Sequence, residues 1–568
     1  MPFRTWGRRN PDALIAAALC LGYLTLLLAT AGSLGFTRDE GFYFAASRAY
    51  GAWFELLFTD PEQALSRAVV DRYWSANHEH PALIKSLFAL SHRFLGGGFG
   101  FSEASTSFRF PSMLLSSLAV AVTFLWGRRV LGRLAGLVAA LSFAFMPRVF
   151  FHAHLACFDL PVCAMWLFTS YAYARSLSSP RLRWVVVSGV LCGLLLNTKH
   201  NSWIFPFAVG AHFILTRGLA TLSDARNGRA WWRRLPLAWA SILVLGPLVF
   251  YALWPWIWHD TLARLREYAA FHTGHDYYNM EFLGHTYWKP PMPRAYAWLM
   301  TLATVPGVTL LLFAVGGLYC VARSWRDRSQ QAPEGQPRCE GSRSELVLWG
   351  VCLLMSYAPW VSPGTPIFGG TKHWMTAYPF LCLFSGLGFK VLAEALPPAL
   401  SRLGSGLAKL AQRPRTLQAL AAACVLVAPV GMTLHSHPFG LTFYTPLVGG
   451  APGAANLGLN RTFWGYTTGS LTAYINQSTP PRAAVYVHDT ALQSFAMFQE
   501  DRRLRRDLKP TLSIHGSDFA LYHHEPHMSR VEQQIWLEYG SISPDVMATY
   551  DGVPVAWGYV RSADAPKR

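Results

Sequence analysis

The first long apolar stretch constrains this chain most, because it is long enough to cross a lipid bilayer. The stretch "DALIAAALCLGYLTLLLATAGSLGF" runs from Asp12 to Phe36 and carries no charge after Asp12. A transmembrane helix needs about 20 mostly apolar residues. The apolar run is too long for a cleaved signal peptide, and no small-residue cleavage pattern precedes the polar segment that follows. We therefore expect this segment to remain as a membrane helix.

Similar apolar runs recur along the chain and predict an α-helical multi-pass membrane protein with about 11 to 13 transmembrane helices. The further runs are Phe110 to Trp126, Leu134 to Met146, Leu160 to Tyr173, Trp184 to Asn197, Trp203 to Leu215, Leu235 to Trp254, Trp298 to Val321, Leu346 to Trp360, Trp374 to Leu396 and Leu417 to Leu434. Only 14% of the residues are charged, against about 25% in soluble domains. One more run, Ala82 to Leu95, is expected to form a half-buried helix at the membrane surface.

Arg and Lys residues gather in the predicted loops and indicate the orientation. The clusters are Arg4/Arg8/Arg9, Arg128/Arg129/Arg133, Arg175/Arg181/Arg183, Arg217/Arg226/Arg229/Arg233/Arg234, Arg323/Arg326/Arg328/Arg338/Arg343 and Arg402/Lys409/Arg413/Arg415. All lie on one face if eleven runs cross, and positively charged loops stay cytoplasmic. The amino terminus is then cytoplasmic and the carboxy terminus outside. These loops also account for most of the net charge of +18, so a nucleic-acid partner is not expected.

The same topology predicts two parts. Residues 1–435 form the membrane part, with outer loops at 37–81 and 255–293, and residues 436–568 form a small extracytoplasmic α/β domain. In the second part "RTFWGYTTGSLTAYIN" is typical of an amphipathic helix, and "AAVYVHD", "DFALYHH" and "VPVAWGYVRS" are typical of strands. The nine cysteines include no CxxC pair, so neither a zinc knuckle nor a disulfide framework is predicted.

Two adjacent carboxylates, Asp39 and Glu40, follow the first apolar run in "RDEGFYFAASRAY". Two interpretations are open: solvated loop charges at the membrane surface, or the carboxylates of a site. Other polar groups on the same predicted face favour the second interpretation.

The segment "NHEHPALIKSLF" places His78, Glu79 and His80 at the start of a helix, because Pro81 suits the first helical turn. A helix amino terminus attracts phosphate, and Lys85 lies one turn further on. The alternatives are a simple helix cap with a lysine that extends to the surface, or ligation of a divalent ion by His and Glu.

The segment "PRVFFHAHLACFDLPV" places Asp159 at the start of a predicted helix, after Arg148, His152 and His154. An acid in this position is either a helix cap or part of a site. Further ionisable residues at predicted outer helix ends or outer loops are Lys199, His200, His272, His275, Asp276, His285, Lys289, Lys372 and His373. The segment "YHHEPHMSR" offers His523, His524, Glu525 and His527 for a metal, although a soluble His-rich turn is the favoured interpretation.

An ordered set of motifs resembles the C-type (GT-C) membrane glycosyltransferases. The resemblance is to the glycosyltransferase 39 group, which includes the protein O-mannosyltransferases and the lipid A aminoarabinose transferases. The motifs are "RDEGFYFAASRAY", "HEHPALIKSLF", "RFPSML", "GRRVLGRLAGLVAA", "PRVFFHAHLACFDLP", "NTKHNSWIFP" and "TKHWMTAYPFL". They cover roughly Gly35 to Leu396.

The resemblance implies a sugar donor carried on a polyprenyl phosphate, no nucleotide cofactor, and a lipid, glycan or protein acceptor reached from the outer side of a cell inner membrane. It implies Asp39 at the reaction centre, Asp159 as the acid of the second outer loop, and Glu40 as a further candidate. The basic residues implied around the lipid phosphate are Lys85, Lys199, Lys372, His373 and His80. A divalent metal ion, if present, would be held by Glu79 with His272, His275 or His285.

The chemistry of the residues agrees with this implied function. Displacing a lipid phosphate from sugar C1 needs a carboxylate to accept the acceptor proton and positive charge to stabilise the phosphate. We therefore predict an inverting glycosyltransferase. The alternatives are a transporter or flippase of a lipid-linked substrate, which should place ionisable residues near the middle of the membrane, or a non-catalytic scaffold in envelope assembly.

Overall fold

The computed structural model describes residues 11–96, 100–179, 181–329, 342–402 and 411–561, with only the backbone described for 325–329. Several residues of the predicted basic loops, namely Arg4, Arg8, Arg9, Arg338 and Lys409, lie outside the described residues.

The first half of the chain is a bundle of helices. Its helices are α1 (Pro11–Thr30), α2 (Arg38–Thr59), α3 (Pro61–Leu65), α4 (Arg67–Trp74), α5 (Leu83–Leu95), α6 (Ala104–Leu131), α7 (Arg133–Ala144), α8 (Pro147–His154), α9 (Asp159–Ser178), α10 (Leu182–Leu196), α11 (Phe205–Phe213), α12 (Leu219–Arg226), α13 (Leu237–Ala252) and α14 (Thr261–Thr273). Helices suit a membrane because each backbone group is satisfied within its own segment.

A short hairpin and five more helices complete the bundle. These elements are β1 (Met280–Phe282), β2 (His285–Tyr287), α15 (Tyr296–Thr304), α16 (Gly307–Ser329), α17 (Ser342–Val361), α18 (Tyr378–Ser401) and α19 (Pro414–Ser436). The polar residues of the candidate site lie mostly where these helices begin or end.

The described residues contain seven helices that are long and apolar enough to cross a membrane, or eight if α7 and α8 form one bent span. Helices α7 and α8 meet at 65° across a short break, and Pro147 begins α8. Two more predicted crossings form the shorter apolar helices α10 and α13, and the run from Leu160 to Tyr173 lies within α9. The multi-pass helical prediction is therefore confirmed, with fewer full-length spans than the eleven runs suggested.

Helix α5 corresponds to the run that was predicted to lie at the membrane surface. It has 13 residues, too few to cross a bilayer of about 30 Å at 1.5 Å per residue. Its apolar face buries Ile84 and Phe88, and it packs against α2 and α6. The helix thus supports the turn at residues 77–80 from one side.

The carboxy-terminal region contains a small mixed sheet. Its elements are α20 (Gly450–Asn456), α21 (Thr472–Ser478), β3 (Ala484–Tyr486), α22 (Leu492–Glu500), β4 (Lys509–Thr511), β5 (Phe519–His523), α23 (Ser529–Tyr539), β6 (Val546–Tyr550) and β7 (Val553–Val560). The strand order is β4-β3-β5-β7-β6; β3 is parallel to β4 and β5, and β7 is antiparallel to β5 and β6. The three predicted strands are β3, β5 and β7, whereas the predicted amphipathic helix is a 3-10 turn followed by α21.

This region packs directly on the start of α2 and on the residues just before it. Helix α22 lies against α2, and Phe36 packs on Phe498 with ring centroids 4.4 Å apart. A Cβ atom at Gly35 would lie 2.0 Å from the carbonyl oxygen of Tyr466, so only glycine permits this approach. The contact brings the end of β3 and the turn after β5 to the amino terminus of α2. The predicted division at residue 435 stays a prediction.

Candidate active site

A cavity of about 490 Å³ lies where the loops and helix ends of the bundle meet the carboxy-terminal region. Its lining includes Arg38, Asp39, Tyr43, Glu79, His80, Arg148, Asp159, Lys199, His200, His272, His275, Lys372, His373, Trp464, Asp489 and Glu525. These residues come from at least eight separate segments of the chain. The fold therefore gathers most of the polar residues predicted for the site into one space.

Asp39 lies in the first turn of α2 and faces the cavity. Its side chain is 23% exposed, with Oδ2 3.6 Å from Nζ of Lys372 and Oδ1 4.0 Å from Nε of Arg38. Neither cation makes a close hydrogen bond to it, because such bonds span about 2.7–3.2 Å. The oxygens of Asp39 are thus open to a hydrogen-bond donor that enters the cavity.

Glu40 was predicted as a further catalytic candidate or a solvated neighbour of Asp39, but its side chain is buried and does not line the cavity. Its buried Oε1 accepts hydrogen bonds from Nε of Arg109 (2.7 Å) and the backbone N–H of Ala156 (3.0 Å). Its Oε2 accepts from Nη2 of Arg109 (2.9 Å) and the backbone N–H of Thr37 (3.0 Å). Thr37 caps α2 in return. The spacing Thr-x-x-Glu is the sequence signature of this capping box and could have separated the two acids in advance.

Asp159 is buried at the start of α9 and is held by Lys199. Nζ of Lys199 lies 2.6 Å from Oδ1, and Nδ1 of His152 lies 3.5 Å from Oδ2. Burial by itself would raise the pKa of Asp159, but Lys199 and His152 hold it below its usual value. Asp159 is therefore a fixed negative charge and a weaker base than an unpaired carboxylate.

Lys372 stands between the two acids at the end of a short 3-10 turn. Its Nζ lies 3.8 Å from the centre of the Trp464 ring, which stabilises the ammonium by a cation–π contact. Burial lowers the pKa of Lys372, and the carboxylates of Asp39 and Asp159 oppose this change. Burial also lowers the pKa of His373 well below its usual value, so His373 offers a neutral imidazole.

Lys85 was predicted as a ligand of the phosphate, but it does not line the cavity. Its buried Nζ donates to the backbone carbonyl and Oδ1 of Asn77 and to the carbonyl of His80. An ammonium has three donors, and all three have partners. Burial lowers the pKa of Lys85 to about 7. Lys85 therefore holds the turn at residues 77–80 in shape rather than binding a ligand.

Three histidines form a compact group on one side of the cavity. Ring nitrogens of His80, His200 and His272 lie within 4.8 Å of one another, and the rings of His200 and His272 stack with centroids 4.2 Å apart. Nδ1 of His80 and Nδ1 of His200 have no hydrogen-bond partner in the part of the chain that the structure describes. The sequence named His80 for phosphate and left His200 without a specific role, so the grouping appears only in three dimensions.

The predicted metal ligands other than His272 lie outside this group. Glu79 lines the cavity but accepts a hydrogen bond from Nδ2 of Asn77. His275 also lines the cavity and stacks on Phe368, with centroids 4.8 Å apart. His285 lies in β2, is exposed and does not line the cavity. The structure therefore does not gather the predicted ligand set around one point.

Two residues of the site had little or no functional signal in the sequence. Arg148 is buried, lines the cavity, and has an Nε without a partner. Asp489 follows β3 and pairs with Arg38, whose Nη1 lies 2.8 Å from its Oδ1. A polar residue just after a strand is by itself a weak indication of a functional site, and Arg38, the partner of Asp489, lies 451 positions away in the sequence.

Residues 80–258 match the family of dolichyl-phosphate-mannose-protein mannosyltransferases. This match confirms the predicted resemblance to the C-type membrane glycosyltransferases. The matched segment is less than half of the chain, and it contains Asp159, Lys199, His80 and His200 of the cavity. No curated protein matches the chain.

Solved structures also align with the chain. ArnT from Cupriavidus metallidurans bound to undecaprenyl phosphate aligns at 14% identity over 98% of this chain and 99% of that chain, with a TM-score of 0.45. The archaeal oligosaccharyltransferase AglB from Archaeoglobus fulgidus, in complex with an inhibitory peptide and a dolichol-phosphate, aligns at 10% identity over 99% of this chain and 75% of that chain, also with a TM-score of 0.45. At this level of similarity no residue role is transferred from either protein.

Proposed function

We propose that this protein transfers a sugar from a polyprenyl-phosphate donor to a lipid, glycan or protein acceptor on the extracytoplasmic face of a cell inner membrane. The observation that carries the proposal is Asp39, a carboxylate without a close partner beside Lys372 in a cavity at the end of a membrane bundle. The family match at residues 80–258 supports the same class of reaction.

Asp39 acts as the general base in this proposal. The acceptor hydroxyl gives its proton to the Asp39 carboxylate as its oxygen bonds to sugar C1, and the bond from C1 to the phosphate oxygen breaks on the opposite side. The polyprenyl phosphate leaves with the electron pair, so the configuration at C1 inverts. A positioned base of this kind contributes roughly 10²–10⁴-fold to a rate.

The cations of the cavity stabilise the phosphate that leaves. Lys372 lies beside Asp39, Lys199 is held by Asp159, and Arg148 has a guanidinium N–H without a partner. Preorganised positive charge in a site sheltered from water stabilises developing negative charge strongly. Asp159 keeps Lys199 in place in this arrangement, and His373 supplies a neutral hydrogen-bonding group.

A divalent cation fits the group of His80, His200 and His272. The free Nδ1 atoms of His80 and His200 have no protein partner, and imidazole nitrogen is a preferred ligand of Zn²⁺. Such a cation would supply positive charge to the donor phosphate. The three side chains would orient it, and the hydrogen bond between Nε2 of His272 and the carbonyl of Glu79 (2.9 Å) holds one ring in place.

The test is transfer by the purified full-length protein in detergent, with a short-chain polyprenyl-phosphate sugar and release of polyprenyl phosphate as the readout. Asp39→Asn should lower the rate at least 100-fold, because the amide cannot accept the proton. The matched control is Glu62→Gln, an exposed acid of the same outer segment, and it should retain the wild-type rate.

Near-normal transfer by Asp39→Asn would overturn the assignment of the base. Binding of the donor lipid without any turnover by the wild type would favour the non-catalytic scaffold. Movement of a labelled donor lipid across a vesicle membrane without transfer would favour the flippase.

A further inference from the structure

A second polar cluster lies at the far end of the cavity, between the carboxy-terminal sheet and α2. Asp489, His523 and Glu525 each place a potential ligand atom within 4.8 Å of the others. The His523 side chain is fully buried, and the side chains of Asp489 and Glu525 are 4% and 7% exposed. Nε2 of His523 points at the two carboxylates and has no hydrogen-bond partner among the residues that the structure describes. A buried nitrogen without a partner needs an explanation.

The hydroxyl of Thr467 orients the His523 ring. Oγ1 of Thr467 donates to the carbonyl of Val555 at 3.3 Å, and Nδ1 of His523 lies 2.9 Å from the same oxygen. Since the hydroxyl proton is used on Val555, Nδ1 carries the proton and donates it to Oγ1. In this tautomer a neutral ring directs the lone pair of Nε2 at two carboxylates, an arrangement that is repulsive unless a positive charge lies between them.

The distances between Nε2 of His523 and the two carboxylates indicate that the positive charge between them is a metal ion and not a proton. Nε2 lies 3.5 Å from Oε1 of Glu525 and 3.8 Å from Oδ2 of Asp489, beyond the usual length of about 2.7–3.2 Å for an N–H···O bond. Ligand atoms bound at about 2.0–2.2 Å to a tetrahedral ion lie roughly 3.4 Å from each other. The spacing thus resembles the edge of a coordination shell.

Each carboxylate is also held from behind by other donors. The second oxygen of Asp489 accepts from Arg38 at 2.8 Å, and the second oxygen of Glu525 accepts from Nδ2 of Asn460 at 3.3 Å and Nδ2 of Asn279 at 3.5 Å. In both cases the remaining oxygen faces Nε2. Outer partners that orient each ligand are typical of metal sites.

We propose that Asp489, His523 and Glu525 form a site for a divalent transition-metal cation of the Zn²⁺ or Mn²⁺ class. One imidazole and two carboxylates suit these ions. Asp489 and Glu525 line the cavity, so the cation reaches the site from there and keeps an open position towards it. Bound at this place, the ion links the carboxy-terminal sheet to Arg38 at the start of α2. Asp39 is the next residue along this helix, so the ion stabilises its surroundings.

His524 and His527 are not part of this site, although they share the His-rich segment. Alternate residues of an extended chain point to opposite sides, and His524 packs on Trp557, with centroids 4.9 Å apart. Nδ1 of His527 lies 3.1 Å from Oε1 of Glu281. The four residues therefore do not lie together in one soluble turn. His523 and Glu525 belong to the site, whereas His524 and His527 lie in different surroundings.

The experiment measures bound metal in the full-length protein in detergent, after treatment with EDTA and dialysis against Zn²⁺ or Mn²⁺. The parent protein carries the single change His272→Gln, so that the group of His80, His200 and His272 does not contribute. Every variant is made in this parent. The parent should bind one equivalent of metal, and His523→Gln and Glu525→Gln should each bind at least tenfold less. His515→Gln, an exposed histidine of the same region that pairs with Glu538, should bind as the parent does.

A second readout is the thermal midpoint, which Zn²⁺ should raise in the parent and in His515→Gln but not in His523→Gln or Glu525→Gln. If His523→Gln does not fold, as judged by gel filtration, the isosteric Glu525→Gln decides the question. Equal metal content in the parent and the Glu525→Gln variant, or no bound metal in the parent, would overturn the proposal. Neither readout depends on sugar transfer, so its result is separate from that of the proposed function.

Discussion

Replacing Glu40 by glutamine should destabilise the protein strongly, although its neighbour Asp39 should tolerate the equivalent change. Glu40 and Arg109 are 0% and 1% exposed in their side chains. The carboxylate accepts five hydrogen bonds: two from Arg109, one each from the backbone N–H groups of Thr37 and Ala156, and one from the hydroxyl of Thr37. In Glu40→Gln one oxygen becomes an NH₂ group, which faces at least two of these donors, and the guanidinium is left without a counter-charge.

The magnitude follows from the burial of the ion pair. Removing one partner of a buried pair costs about 3–5 kcal/mol of unfolding free energy, and hydrogen bonds to charged groups contribute about 1.5–3 kcal/mol each. Asp39→Asn removes only partly exposed contacts of 3.6 Å and 4.0 Å. A change of this kind usually stays within about 0.5 kcal/mol.

The assay is thermal and denaturant unfolding of the detergent-solubilised protein, followed by tryptophan fluorescence. Glu40→Gln should unfold at a clearly lower temperature and denaturant concentration than the wild type. Asp39→Asn should unfold at the same midpoints as the wild type. The double variant Glu40→Gln/Arg109→Met should recover part of the loss, because an apolar side chain of similar length removes the unpaired charge. If Glu40→Gln had wild-type stability but no transfer activity, its carboxylate would act in the chemistry and the structural explanation would be refuted.

Three more predictions follow from the surroundings of single residues. Lys199→Met removes the ammonium that holds the pKa of Asp159 down, so the pKa should rise and transfer should fall more at pH 5.5 than at pH 8; a parallel pH–rate profile at a lower level would contradict this. The pKa of Lys85 is about 7 in the folded protein, and its usual value is 10.5. Between these pH values the unfolded chain binds more protons than the folded protein, so the contribution of Lys85 to the stability of the protein increases as the pH rises. The stability of the wild type relative to Lys85→Met should therefore increase from pH 7 to pH 9, and a constant difference in thermal midpoint would argue against a buried ammonium. Gly35→Ala should cost about 1–3 kcal/mol by overpacking, because its Cβ would lie 2.0 Å from the carbonyl oxygen of Tyr466; Gly22→Ala, with nothing within 4 Å of its Cβ, is the control that should unfold like the wild type.

The fold class and the inventory of the cavity could be predicted because both depend on local patterns. A long uncharged run indicates a membrane helix wherever it occurs, and a Lys or acid at the outer end of such a run stands out against it. Asp39, Asp159, Lys199 and Lys372 were found in this way, and all four line the cavity. Their roles as base and cations stay proposals that the experiments above test.

Pairings between distant residues could not be predicted in the same way. Lys85 was expected to bind phosphate because a lysine one turn into a helix resembles a point charge, but its donors turn back to Asn77 and His80. Glu79 and His272 were expected to share a metal. In the structure His272 instead forms a group with His80 and His200. Each outcome depends on which side chain faces which neighbour after the helices have packed.

The sequence by itself determined that this protein is a helical membrane protein with its polar residues concentrated at helix ends and in loops, since hydropathy and segment length act within one stretch of chain. Only the tertiary structure decided which of two adjacent acids serves the cavity. Arg109, 69 positions from Glu40, neutralises that buried carboxylate, while Asp39 faces Lys372. In the same way, β5 and the loop after β3 bring His523 to Asp489, which Arg38 holds from the first outer segment. Electrostatic pairing acts over a few ångströms of space and not along the sequence, so the fold had to be known first.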